Sequence, residues 1–205
     1  MTDRSTLTIS AIVAAVLFAI GYAIVAVIPG GGEVTEEDFT DFYSGDPSFF
    51  TPFLLVLALL AGCWTLVWFF SELRTRLPEQ LLSRAAYAIA LVGAGALAIG
   101  GAILFAPAGV QMNSDGEFVG APVAHAFAQA GLLVMLLIGM YSLALAVALY
   151  SLALRRAGLI PAWLAIGGGG IAVLLLGSFF WLPGYLLVIW ILVVGLIGLR
   201  RSSTT

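Results

Sequence analysis

Residues 85–106 read AAYAIALVGAGALAIGGAILFA, without one Asp, Glu, Lys, Arg or Pro. The hydrocarbon core of a bilayer is about 30 Å thick, which takes about 20 apolar residues rising 1.5 Å each. Inside lipid no water satisfies an open backbone, so such a segment must be a helix. Working outward, the same reading selects residues 7–28, 53–71, 123–154, 162–182 and 184–199, again without an acidic or basic residue inside any of them. The expected fold is all-α: one integral membrane domain spanning 1–205, a bundle of six transmembrane helices. The 22-residue stretch at 7–28 is longer than a signal peptide's apolar region, and Ile28-Pro29-Gly30 is a poor cleavage site, so it reads as a retained span.

Composition agrees. The chain is 62% apolar and only 9% charged, with a mean hydropathy of +1.13. A soluble domain is about 45–50% apolar and about 25% charged. Too little polar surface exists to coat a soluble globule, which excludes a soluble enzyme or a disordered tail. No basic run is available to neutralise phosphates, so nucleic acid is not an expected partner. Membrane lipids are.

Charge then sets the orientation. All eight basic residues are Arg: Arg4, Arg74, Arg76, Arg84, Arg155, Arg156, Arg200 and Arg201. With six crossings, every one falls on the side that holds both termini. The opposite side receives Glu33, Glu36, Glu37, Asp38, Asp41, Asp46, Asp115 and Glu117. The positive-inside rule therefore places both termini in the cytoplasm of a cell-membrane protein, and an odd number of spans would destroy the partition.

The prolines read as punctuation. Pro52, Pro122, Pro161 and Pro183 stand at or before span starts, where a missing N–H costs little, while Pro29 and Pro107 follow span ends. The fourth span is long enough to tilt or to rise above the outer headgroups. The turn at Leu182-Pro183-Gly184 predicts a helical hairpin of spans five and six.

Helices in lipid associate through close approach of small residues, because water does not drive them together. Ala86, Ala90, Ala94, Ala98, Ala102 and Ala106 form a four-residue row on the third span, and Ala11, Ala15, Ala19 and Ala23 form one on the first. Both rows are expected to be packing ridges, and such faces also suit a protein partner or a second copy. The run Gly167, Gly168, Gly169, Gly170 has two readings: a flat packing surface, or an unwound stretch that binds an ion or solute.

Polar candidates are few. His125 is the one histidine, with Gln129 a turn later on the same face; the pair is either a proton- or metal-sensitive point at the outer mouth or an interfacial hydrogen-bonded pair. One His and one distant Cys cannot build a zinc site, so no metal, cofactor or catalytic residue is assigned. Cys63 lies mid-way in an apolar run and reads as an inert core residue. Ser178 lacks the elbow motif of a serine nucleophile. Thr65, Tyr141 and Ser142 read as interhelical hydrogen-bond partners. In the outer loop, residues 29–52, Thr35-Glu36-Glu37-Asp38 looks like a helix start, and Phe39, Phe42 and Tyr43 follow at helical spacing, which predicts a short interfacial helix. Asp38, Asp41 and Asp46 match no EF-hand spacing.

Four pieces together carry a resemblance: Val27-Ile28-Pro29-Gly30-Gly31-Gly32; Glu36-Glu37 leading to Phe42-Tyr43; Leu73-Arg74-Thr75-Arg76-Leu77; and Leu159-Ile160-Pro161-Ala162-Trp163-Leu164. In their order the chain resembles a family of uncharacterised bacterial multi-pass membrane proteins, grouped as a domain of unknown function. That resemblance implies six helices in the membrane and brings no catalytic residue. The resulting expectation is a non-enzymatic accessory, scaffold or lipid-interacting subunit. A transporter or channel for a neutral or apolar solute is the alternative, and an intramembrane enzyme using His125 or Ser178 comes third.

Overall fold

The computed structural model describes residues 3–24, 50–78, 81–113, 120–177 and 183–197. The expected interfacial helix in the outer loop, Ser178, and the turn at 182 lie outside the described residues. What is described is helical, without a strand: α1 (Asp3–Tyr22), α2 (Phe50–Thr75), α3 (Leu81–Asn113), α4 (Ala121–Leu133), the π-helical segment π1 (Val134–Met140), α5 (Tyr141–Arg156), α6 (Ala162–Leu175) and α7 (Gly184–Ile197).

α4, π1 and α5 follow one another without a break. Among the described residues, four helical stretches are therefore long and apolar enough to cross a membrane: Ser5–Tyr22, Phe53–Thr75, Leu81–Val110 and Ala121–Arg156. α6 and α7 are apolar but shorter, at 14 residues each. At 1.5 Å per residue that is about 21 Å, less than the hydrocarbon thickness.

The helices form a ring. α1 packs closely on α2, α2 on α3, α3 on the α4–π1–α5 rod, α5 on α6, and α7 on α1. Of the last two spans, expected to form a hairpin, α7 leans chiefly on α1 and touches α6 more lightly, the turn between them lying outside the described residues. The reason is local. Gly195 leaves room for Ala11, and Gly184 leaves room for the Tyr22 ring, so α7 can approach α1 closely at two places along its length.

Helix ends follow known devices. Gly158 has φ 71°, a left-handed conformation that glycine adopts without a Cβ penalty. Its N–H donates to the Arg155 carbonyl, and Leu159 N–H donates to the Leu154 carbonyl. Those two bonds make a Schellman motif, which stops α5 and turns the chain into α6 behind Pro161. Gly120, φ 87°, plays the mirror role before α4, where Pro122 occupies the first turn.

One proline departs from the expectation. Pro107 lies inside α3, which runs on to Asn113. Its ring is buried, and the helix carries it without ending.

Close approach is concentrated at glycines, and the expected rows share in it only in part: Ala11 and Ala15 of α1 are buried, Ala11 against Gly195. In α3 Ala86, Ala90 and Ala94 are buried, Ala98 is half-buried and Ala102 is exposed. A row stepping by four residues turns about 40° per step, because 3.6 residues make a turn. After three steps it has left the seam. The face that stays in contact is Gly93, Leu97, Gly100 and Leu104 instead. A Cβ on Gly131 would stand 2.6 Å from the Gly100 carbonyl oxygen, and one on Gly139 would stand 2.9 Å from Leu97 Cγ. α1 and α2 touch in the same way, through Gly21 against Leu59 and Gly62 against the Phe18 backbone.

The π segment belongs to that seam. Gly131, Met135, Gly139 and Leu143 step by four and are all buried. In an α-helix this row would wander like the alanine row of α3. The wider i→i+5 turn at 134–140 offsets the drift and keeps the row aimed at α3.

Candidate functional site

Among the described residues buried polar groups are scarce, and three of them belong to one knot. Tyr150 of α5 donates its hydroxyl proton to the Phe70 carbonyl of α2, at 2.9 Å. The next residue, Ser151, accepts the indole N–H of Trp190 from α7, at 3.1 Å. Phe70 stacks on Tyr150, with ring centroids 5.3 Å apart, and Phe69 meets Trp190 edge-on at 6.2 Å. Gly168 of α6 faces this pair; a Cβ there would press on Ser151 Oγ and stand 2.9 Å from Trp190 Nε1. An indole buried among hydrocarbon needs an acceptor, and Ser151 supplies it. The knot ties α2, α5, α6 and α7 together.

The knot also fixes which helix ends lie together. Phe70 is near the end of α2 and Tyr150 near the end of α5, so Arg74 and Arg76 share one end of the bundle with Arg155 and Arg156. Arg84, opening α3, joins them. A polar cavity of about 390 Å³ lies at this end between α2 and α3, lined by Ser71, Arg74, Thr75, Leu77, Ser83 and Arg84. Local bonds shape its wall. Thr75 Oγ1 donates to the Glu72 carbonyl, and the buried Ser83 Oγ donates to the Pro78 carbonyl across the turn. The Arg74 guanidinium stands over the Tyr87 ring, 5.1 Å from its centroid, which orients its edge.

One to two turns further into the bundle, the same seam holds an apolar groove of about 170 Å³. Trp64, Val67, Leu91, Ala94, Gly95 and Ala98 line it, and the buried Cys63 stands at its rim.

The sequence-level candidates fall elsewhere. His125 is exposed and Gln129 half-buried on α4. From His125 to Ser151, where Gly168 packs, is 26 positions along one rod, roughly 40 Å at 1.5 Å each. His125, Gln129 and the glycine run therefore share no cavity. The run itself is helical from end to end, not unwound. Only Gly168 faces a neighbour; a Cβ on Gly167, Gly169 or Gly170 would meet nothing within 4 Å.

Thr65 corrects a further expectation: its hydroxyl donates to Ala61 and Gly62 of its own helix, not to another. Tyr141 is on the exposed surface. Sequence reading had passed over Tyr150, Ser151 and Trp190. The signal available was an indole in mid-span, away from the interfacial belt where Trp usually sits. Among the described residues no group of three His, Cys, Asp or Glu is placed to hold a metal. Comparison with family models, curated proteins and solved structures finds no match to this chain.

Proposed function

We propose that this is a cell-membrane protein crossing the bilayer six times, of the uncharacterised multi-pass bacterial kind, with both termini in the cytoplasm. Its role in this reading is non-enzymatic: an accessory or scaffold subunit that works through lipid contacts. The observation that carries the role is the filling of the interior. Glycine contacts bring α1 to backbone distance of α2, and α3 to backbone distance of α4 and π1, and the Tyr150 and Ser151 hydroxyls and the Trp190 indole are tied within the bundle. The polar cavity lies at the end of the bundle that carries the arginines. The orientation draws support from Arg74, Arg76, Arg84, Arg155 and Arg156 gathering at that end.

Thermal unfolding of the purified chain across a lipid panel tests this, together with affinity capture from solubilised membranes. Stabilisation by lipids or a stoichiometric partner is expected. Indifference to every lipid and no partner would sink the reading. Uptake of a neutral solute into vesicles containing only this chain would replace it with the transporter alternative.

A further inference from the structure

The polar cavity and the apolar groove lie on the same stripes of the same two helices. On α2, Trp64, Val67, Ser71 and Arg74 step by three or four. On α3, Arg84, Leu91 and Ala98 step by seven, with Ala94 and Gly95 between. Such steps stay within about 20° of one helix face per heptad. The two cavities thus lie in line along the α2–α3 seam, a track that is polar at its end and apolar inward. Between their centres the track runs about 13 Å on α2 and about 16 Å on α3, at 1.5 Å per residue. One leaflet of hydrocarbon is about 15 Å deep.

We infer that this track holds one anionic phospholipid, its phosphate between Arg74 and Arg84 and an acyl chain in the groove below. The inference rests on the lipid-interacting reading above and names its site and lipid class. Two guanidiniums offer forked donors that match phosphate oxygens, and Ser71 adds a hydroxyl. Basic pockets between transmembrane helices take anionic headgroups for this reason. Inward of them the chemistry changes to what a hydrocarbon chain prefers. Trp64, 76% exposed, flanks the groove, and Gly95 leaves its floor open, with nothing within 4 Å of where a Cβ would stand.

The test uses the full chain in detergent, titrated with phosphatidylglycerol, phosphatidylcholine of the same chains, and inorganic phosphate. Melting temperature and native mass spectrometry provide the readouts. Wild type should bind phosphatidylglycerol in preference to phosphatidylcholine. Arg74→Gln with Arg84→Gln should weaken the anionic lipid about tenfold and erase the preference. Gly95→Leu sets its Cβ where no protein atom lies within 4 Å and extends into the groove, so it should fold and still lose affinity for the anionic lipid. If the arginine variant does not fold, Gly95→Leu alone decides: unchanged phosphatidylglycerol binding overturns the site. Phosphate matching the lipid in effect, with Gly95→Leu neutral, overturns the lipid in favour of a free anion. Lipid binding that none of the variants alters overturns this site and leaves the general reading standing; no lipid binding by wild type overturns both.

Discussion

The four glycines of α6 offer a substitution series in which one position should behave opposite to its neighbours. Gly167, Gly169 and Gly170 would each place a new methyl in open space. Replacing glycine by alanine in a helix removes backbone freedom from the unfolded chain and gains about 0.5–1 kcal/mol. The three sites share no partner, so their effects should add to about 1.5–3 kcal/mol. For a chain of this size that corresponds to a rise of roughly 3–12 °C in melting temperature. Gly168→Ala gains the same helix term but drives a methyl into Ser151 Oγ and to 2.9 Å from Trp190 Nε1. The serine must rotate away and the indole loses its acceptor. Overpacking of this kind costs about 1–3 kcal/mol, which outweighs the gain. Thermal unfolding followed by tryptophan emission reads both variants. A triple variant that melts below wild type would refute the reasoning, since it would mean that the outer face of the run packs on something or must unwind. A Gly168→Ala variant more stable than wild type would refute the knot.

Three further outcomes follow from the packing. Gly131→Ala should be among the most damaging single methyl additions, because the obstacles are the Gly100 carbonyl and the Leu104 backbone, which cannot rotate aside; Gly109→Ala, in open space, is its control in the same melting assay. Tyr150→Phe should cost about 0.6–1.7 kcal/mol, the range for interhelical hydrogen bonds in membranes, and Trp190→Phe at least as much because packing is lost too; chemical denaturation in mixed micelles measures both. In single-tryptophan variants, brominated acyl chains should quench Trp64, 76% exposed, strongly and Trp190, 1% exposed, weakly; equal quenching would place α7 at the lipid surface and contradict the ring.

The helices were legible because uncharged runs of this length have one solution in lipid. Their ends were less so. Nothing local announces that α3 continues through Pro107, since a proline after an apolar run reads as a stop and only tertiary context keeps the helix going. The alanine row of α3 packs as expected at its start and leaves the seam further on. A period of four is not the period of a helix, so Ala98 and Ala102 turn out of the seam that Ala86 and Ala90 occupy. The π segment is the converse case: its row of four stays in contact because the backbone itself is rewound, which no composition signals. The polar knot was missed because Tyr150, Ser151 and Trp190 are far apart in the chain and each is unremarked alone. The arginines at 74 and 84 were used only for their sign. That they line one cavity depends on the turn at 76–78, whose bonds to Leu73 and Arg74 fold α3 back along α2.

Where cohesion comes from close approach, the places that lack it become informative. The seams of α1 with α2, and of α3 with α4 and π1, each have glycines set against backbone, which leaves no room between those helices. On the α2–α3 seam the glycines find no such partner. Gly101 meets only the end of the Leu59 side chain, and Gly95 meets nothing. A glycine without a facing backbone gives up helix stability without a packing return, and the space it leaves is the apolar groove. In the proposed reading an acyl chain fills that space, and the polar end of the groove holds its headgroup. Arg74, set over Tyr87, and Arg84, one turn into α3, stand at that end. The same residues that leave this seam loosely packed therefore make it the one described seam whose shape and charge suit an amphiphile.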